Sequence, residues 1–229
     1  MTVGAPAGLD SAGPDPAGLV LAGLDPAVLT RTEDGQVLPY LVWRLPAPVL
    51  VASTASSGGG LGLRSWIVNA QVSHDYARHD LDGHAAELAA GAGLSGNGVT
   101  MLTAADVLRV RCATDGGVGA AATVGLTHPT WAAEPAEPAG VQPPAAGTIN
   151  IVAFLPVNLA PAALLGALCT ATEAKTQALI ERGVPGTGTP SDAVTICCPA
   201  EGGELFCGVR SDWGSRLARA VHAAVAGGI

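Results

Sequence analysis

Between residues 147 and 192 the sequence gathers groups that could break a stable bond. Gly147-Thr148-Ile149-Asn150 opens a strongly apolar stretch. Side chains alternate along a strand, so Thr148 and Asn150 share one face. A hydroxyl and a carboxamide there either cap a turn or meet a ligand. Further on, Thr170-Ala171-Thr172-Glu173-Ala174-Lys175-Thr176 sets two charges and three hydroxyls into an apolar helical stretch. Glu173 and Lys175 project about 200° apart on a helix and cannot form a same-face ion pair. A carboxylate here suits a general base, and an ammonium suits an oxyanion. A solvated helix face is the plainer alternative, and the apolar flanks weaken it. Gly186-Thr187-Gly188-Thr189-Pro190-Ser191-Asp192 follows. Glycines let a backbone approach a ligand and aim N–H groups at negative charge. Asp192 could orient a water or a hydroxyl, although an ordinary helix-to-strand turn would look the same.

Upstream, Ser56-Ser57-Gly58-Gly59-Gly60 leads through Arg64 to Asn69. It lacks the Lys-Ser/Thr of a P-loop, so Gly59, Gly60 and Asn69 read as a substrate-facing edge rather than a nucleotide site. His74, His79 and His84 recur near Asp75, Asp80 and Asp82. Their spacing fits neither one helix face nor HExxH, so surface histidines are favoured over a metal site. The five cysteines form no CxxC pair. They read as free thiols, with Cys197 and Cys198 buried and inert in an apolar strand.

The elements that must hold these groups come from a chain of 229 residues, 48% hydrophobic, 13% charged and 3% aromatic. Such a core depends on close packing of small side chains. The net charge of −8, with only 11 Lys plus Arg, argues against nucleic acid and anionic membranes as partners. Residues 139–172 carry no charge, but Pro143, Pro144, Pro156 and Pro161 cut them below a membrane span. Residues 1–10 contain no basic side chain, so no signal peptide is expected and the protein is placed in the cytoplasm.

Residues 1–18 read as a flexible Pro/Gly/Ala tail before one domain over 19–229, with 19–30 entering the fold. Strands are expected at 37–43, 48–54, 65–72, 99–104, 107–113, 120–126, 148–155, 192–198 and 204–209. Asp115-Gly116-Gly117 marks a hairpin, Gly202-Gly203 a turn, and 131–146 a Pro/Ala/Glu loop. Helices are expected at 82–92 (capped by Asp82), 161–182 (Pro161 in the first turn) and 211–226. Strands lead and long helices follow, which favours an α+β domain with a mixed or antiparallel sheet packed by two long helices; an α/β layered sandwich is the alternative.

The order of the motifs adds a family. Gly147-Thr148-Ile149-Asn150-Ile151, Asn158-Leu159, Thr172 to Leu179, Gly186 to Thr189 and Asp192-Ala193-Val194 resemble the adenosylcobinamide amidohydrolase (CbiZ) family. Gly58-Gly59-Gly60, Asn69, Val72, Tyr76, Gly98 to Asp106, Thr123 to Leu126 with Pro129, and Gly214 to Val221 extend the resemblance collinearly over about residues 35–225. The resemblance implies hydrolysis of the amide between a corrin-ring propionyl group and the aminopropanol arm of adenosylcobinamide, giving adenosylcobyric acid. It implies a corrinoid as substrate and calls for no bound cofactor; a homo-oligomer is compatible with it. The chemistry of the residues nominates Glu173 as acid/base, with Lys175 and the Gly186-to-Thr189 backbone, including Thr187, Gly188 and Thr189, as stabilisers. Asn69, Asn150, Asp106 and Asp192 would orient water or the amide, with Thr172, Gly59 and Gly60 on the substrate-facing surface. Thr148 or Thr187 as nucleophile is the variant mechanism, and a non-catalytic corrinoid binder is the rival function.

Overall fold

The computed structural model describes residues 25–135 and 147–229. The expected tail at 1–18 and most of the 131–146 loop therefore lie outside the described residues. Among the described residues eight strands form one mixed sheet: β1 (Ala27–Glu33), β2 (Gln36–Ser53), β3 (Gly60–Gln71), β4 (Gly98–Thr103), β5 (Arg111–Asp115), β6 (Val118–Val124), β7 (Ile149–Phe154) and β8 (Ala193–Cys198). Three α-helices accompany them among the described residues: α1 (Leu81–Gly91), α2 (Pro161–Glu181) and α3 (Asp212–Gly228). The sheet order is β4-β3-β2-β8-β7-β6-β5, with β1 paired to β2.

The expected strands at 37–43 and 48–54 are one strand, β2. Its register against β3 shifts between Arg44 and Val49, where Pro46 and Pro48 have no N–H to give the ladder. Such an irregularity bends a strand and increases its twist. The first half of β2 pairs β1 and β3, and the second half pairs β3 and β8. The two halves of the sheet therefore face each other. Leu41, Trp43, Val51, Ile67, Met101, Val152 and Phe154 fill the space between them. Outside one half, α1 sets Leu88 and Ala92 against Tyr40, Val42, Trp66, Val68 and Ala70. Outside the other, α2 and α3 cover β5–β8, with Leu164, Leu179, Leu217 and Val221 fully buried. The α+β expectation holds, with α1 as a third helix.

The parallel pairing of β7 and β8 needs a crossover, and α2 supplies it. Pro161 stands in its first turn, where a missing N–H costs nothing. Its buried face is mostly alanine, which lets α3 approach closely. The hairpin between β5 and β6 turns on Gly116 and Gly117, both at positive φ (51° and 89°).

Four expectations are corrected. The cap of α1 is Asp80, whose carboxylate accepts from Gly83 N; Asp82 instead accepts from the Ser57 hydroxyl. Residues 107–113 are a 3-10 turn (Val107–Arg109) followed by β5, because Asp106 caps the turn through Leu108 N. Residues 204–209 form no strand: Glu204 makes a single bridge to Leu159, and Leu205 and Phe206 are exposed. Residues 27–30, expected only as part of the entry to the fold, belong to β1. Among the described residues no helix is long and apolar enough to cross a membrane.

Candidate active site

The bend in the sheet gathers the far ends of β3, β4 and β6 with the near ends of β7 and β8. Asn69, Thr123 and Asn150 occupy interior-facing positions there and are at most 2% exposed. Asn150 donates through Nδ2 to Asn69 Oδ1 (2.8 Å) and to the Leu102 carbonyl (3.1 Å). Asn69 donates in turn to Thr123 Oγ1 (3.0 Å). This order gives the chain a direction. Thr123 keeps a hydroxyl hydrogen to donate, and Asn150 Oδ1 is a buried acceptor with no partner among the described residues. An orphaned buried acceptor costs about 1–3 kcal/mol, which a ligand N–H or a water would recover.

Beside this chain, Asp192 ties three elements together. Its carboxylate accepts from Ile149 N (2.9 Å), Thr189 N (3.1 Å) and Thr189 Oγ1 (2.5 Å), and it pairs with the Lys175 ammonium. Lys175 is buried, so the pair forms with little water to screen it. A β-carbon on Gly188 would collide with both partners, so glycine is required there for space. Thr148 is also buried, directly beneath exposed Ser191. Its Oγ1 lies 2.7 Å from Ser191 Oγ, and the Ser191 hydroxyl donates to the Gly147 carbonyl (3.2 Å). The Thr148 carbonyl accepts from Gly125 N (3.0 Å). Thr187 donates from its N to Thr130 O (2.8 Å), while Thr176 Oγ1 donates to Thr187 O (3.1 Å).

The family model described as adenosylcobinamide amidohydrolase matches residues 25–229. The chain belongs to the adenosylcobinamide amidohydrolase family. It is 35% identical over 94 residues to a Methanosarcina mazei protein of that name, covering 37% of this chain and 47% of the relative. It is 40% identical over 108 residues to a Halobacterium salinarum protein of that name, covering 44% of this chain and 45% of the relative. The matches thus span about half the length of each curated relative.

In this amidohydrolase-family fold the nominated residues fall into separate groups. Asn69 and Asn150 meet in the buried chain with Thr123, whereas Lys175, Gly188, Thr189 and Asp192 meet around the carboxylate, and Thr148 meets Ser191. Thr172 and Glu173 are exposed on the other side of α2 from Lys175. They line an open depression of about 460 Å³ with Thr176, Gln177, Ile180 and Glu181. Thr187 lies at the join, its carbonyl held by Thr176 and its Oγ1 accepting from Ala132 N (2.9 Å). Gly59 and Gly60 stand apart from Asn69, at the opposite end of β3. The Arg64 guanidinium holds that loop through the carbonyls of Gly58 (2.9 Å) and Gly59 (3.0 Å). Asp106 is exposed and occupied as a cap.

The histidine expectation is corrected in part. His74 and His79 are exposed, but His84 is 1% exposed. Its ring stacks on Tyr76, with Nδ1 2.8 Å from the Tyr76 hydroxyl and Nε2 3.4 Å from Glu33. Burial lowers the His84 pKa and raises that of Tyr76. Among the described residues no three His, Cys, Asp or Glu side chains converge on a metal position. Burial also raises the thiol pKa of Cys197 and Cys198, and pushes Cys207 up to about 12, as inert core thiols require.

Ser191 and Thr123 stand in motifs of the sequence but were not among the nominated site residues. Thr123 is the cross-strand partner of Asn150, a relation that needs the β6–β7 register. Ser191 looks like a turn residue until the loop folds over Gly147.

Proposed function

We propose that this chain hydrolyses the amide between the corrin-ring propionyl group and the aminopropanol arm of adenosylcobinamide, releasing adenosylcobyric acid for cobamide salvage. Membership of the family and the names of two relatives support the reaction. The observation that carries the chemistry is the Thr148 hydroxyl, 2.7 Å from Ser191 Oγ and one residue before the Ile149 N–H that Asp192 holds. In this reading Thr148 Oγ attacks the amide carbon. The aminopropanol leaves with a proton, and water then hydrolyses the ester on Thr148. Asn150 Oδ1 and the Thr123 hydroxyl offer an acceptor and a donor to the amide, and the Lys175 ammonium favours developing negative charge. The corrinoid is the substrate, and no cofactor or metal enters the scheme. A cytoplasmic protein acting as a monomer or homo-oligomer fits it.

A second mechanism has Glu173 activate water in the open depression on α2, and the exposure of its carboxylate there favours it. The test is incubation of the purified protein with adenosylcobinamide, with and without chelator, and chromatography for adenosylcobyric acid. Chelator-resistant turnover that falls at least about 10³-fold in Thr148→Ala and survives in Glu173→Gln supports the threonine. The reverse pattern selects Glu173. Tight corrinoid binding with no product would make the chain a binding protein and overturn the proposal.

A further inference from the structure

A threonine hydroxyl is a weak nucleophile and needs a base beside it. Among the described residues Thr148 has none as a hydrogen-bond partner. Ser191 is a neutral hydroxyl, and the neighbouring Lys175 and Asp192 are engaged with each other. A base would arise on the residue itself if its own amide became an amine, because a free α-amino group has a pKa of about 8. The surroundings of the Gly147–Thr148 peptide bond are arranged for that change.

The Ser191 hydroxyl has one hydrogen, and it points to the Gly147 carbonyl oxygen (3.2 Å). The 2.7 Å contact between Ser191 and Thr148 must then be donated by Thr148. The result is a closed proton path from the Thr148 hydroxyl, through Ser191, to the carbonyl oxygen of the preceding residue. Both flanks of Thr148 are fixed, its carbonyl by Gly125 N and the next N–H by Asp192. Gly147 presents an unhindered carbonyl, and a β-carbon there would collide with the Gly125 carbonyl. The upstream residues 131–146 are a Pro/Ala/Glu stretch without apolar periodicity, so a break at Thr148 interrupts no strand or helix pattern. After a break β7 would remain held by β6 and β8.

We propose that the chain cleaves its own Gly147–Thr148 bond and that the new N-terminal Thr148 is the nucleophile of the hydrolase. Thr148 Oγ attacks the Gly147 carbonyl carbon. Its proton passes to Ser191 while the Ser191 proton passes to the carbonyl oxygen, giving a neutral tetrahedral adduct. The C–N bond breaks as nitrogen takes up the proton of that adduct, leaving a Gly147 ester on Thr148 Oγ and a free α-amine. One water hydrolyses the ester to the Gly147 carboxylate and the Thr148 hydroxyl. No electrons are transferred. The freed amine can then take the hydroxyl proton when substrate amide is attacked.

The second half of this inference rests on the proposed amidohydrolase function; the cleavage does not. The test is intact-mass measurement of the full-length chain under denaturing conditions, after rapid purification and timed incubation. The expected result is two polypeptides, the second beginning Thr148-Ile149-Asn150. Thr148→Ser should still cleave. Thr148→Val, shown to be folded by circular dichroism, should stay whole. Ser191→Ala should slow cleavage about 10²-fold, the scale of a lost proton relay. A chain that stays whole, active or inactive, overturns the proposal. So does cleavage at another bond that persists in Thr148→Val, which marks an outside protease. Two fragments cut before Thr148, without adenosylcobyric acid formation, would leave the cleavage standing and remove the amidohydrolase reading.

Discussion

Removing either partner of the Lys175–Asp192 pair should destabilise the fold, and by unequal amounts. In Lys175→Met the carboxylate keeps three donors, Ile149 N, Thr189 N and Thr189 Oγ1. Breaking a buried pair costs about 3–5 kcal/mol, and these donors place this variant near 3. In Asp192→Asn the ammonium stays buried with no carboxylate, and the amide NH2 must face one of the backbone donors. That variant belongs near the upper end, about 5 kcal/mol. At about 2–4 °C per kcal/mol for a domain of this size, the melting temperature should fall by roughly 6–20 °C. The double variant should cost less than the sum of the singles, with a coupling of about 1–3 kcal/mol. Urea titrations of all four proteins at pH 7, with calorimetry alongside, measure each term. If the singles add within about 0.5 kcal/mol, or if Lys175→Met costs more than Asp192→Asn, the pair is not the clasp described here.

Three further outcomes can be checked by denaturation. His84 is held neutral by burial, its pKa below the usual 6.5, while the unfolded chain takes up a proton below that value. Stability should therefore be full above about pH 6.5 and decline as pH falls below it, and His84→Gln should flatten the melting temperature between about pH 5 and 7.5. Gly188→Ala should cost about 1–3 kcal/mol in urea midpoint, because its β-carbon meets the Lys175–Asp192 pair. Leu164, fully buried between α2 and the sheet, should cost about 2–5 kcal/mol when changed to Ala, with an unchanged urea slope.

Where local rules decide conformation, the sequence was readable. The first-turn Pro161 located the start of α2, and two glycines located the β5–β6 hairpin. The same rules failed where a distant partner decided. Pro46 and Pro48 look like a strand break, yet β2 runs through them because β3 and β8 hold it on both sides of the irregularity. Residues 204–209 have strand-like composition but pair only at Glu204, so they stay irregular. Asp82 looked like a cap, but Ser57 took its carboxylate.

The sequence by itself determined which groups are present and how neighbours diverge. At about 100° per residue, Glu173 and Lys175 had to leave α2 in opposite directions, and one is exposed while the other is buried. Collinear motifs also identified the family. The tertiary structure decided which groups meet. Lys175 reaches Asp192 across 17 residues, Thr148 reaches Ser191 across 43, and Asn150 reaches Asn69 across 81. Periodicity sets only the direction in which a side chain leaves its own element. Contacts at these separations depend on a bend in β2 that folds one half of the sheet over the other, so the proton path from Thr148 through Ser191 to Gly147 exists only in the folded chain.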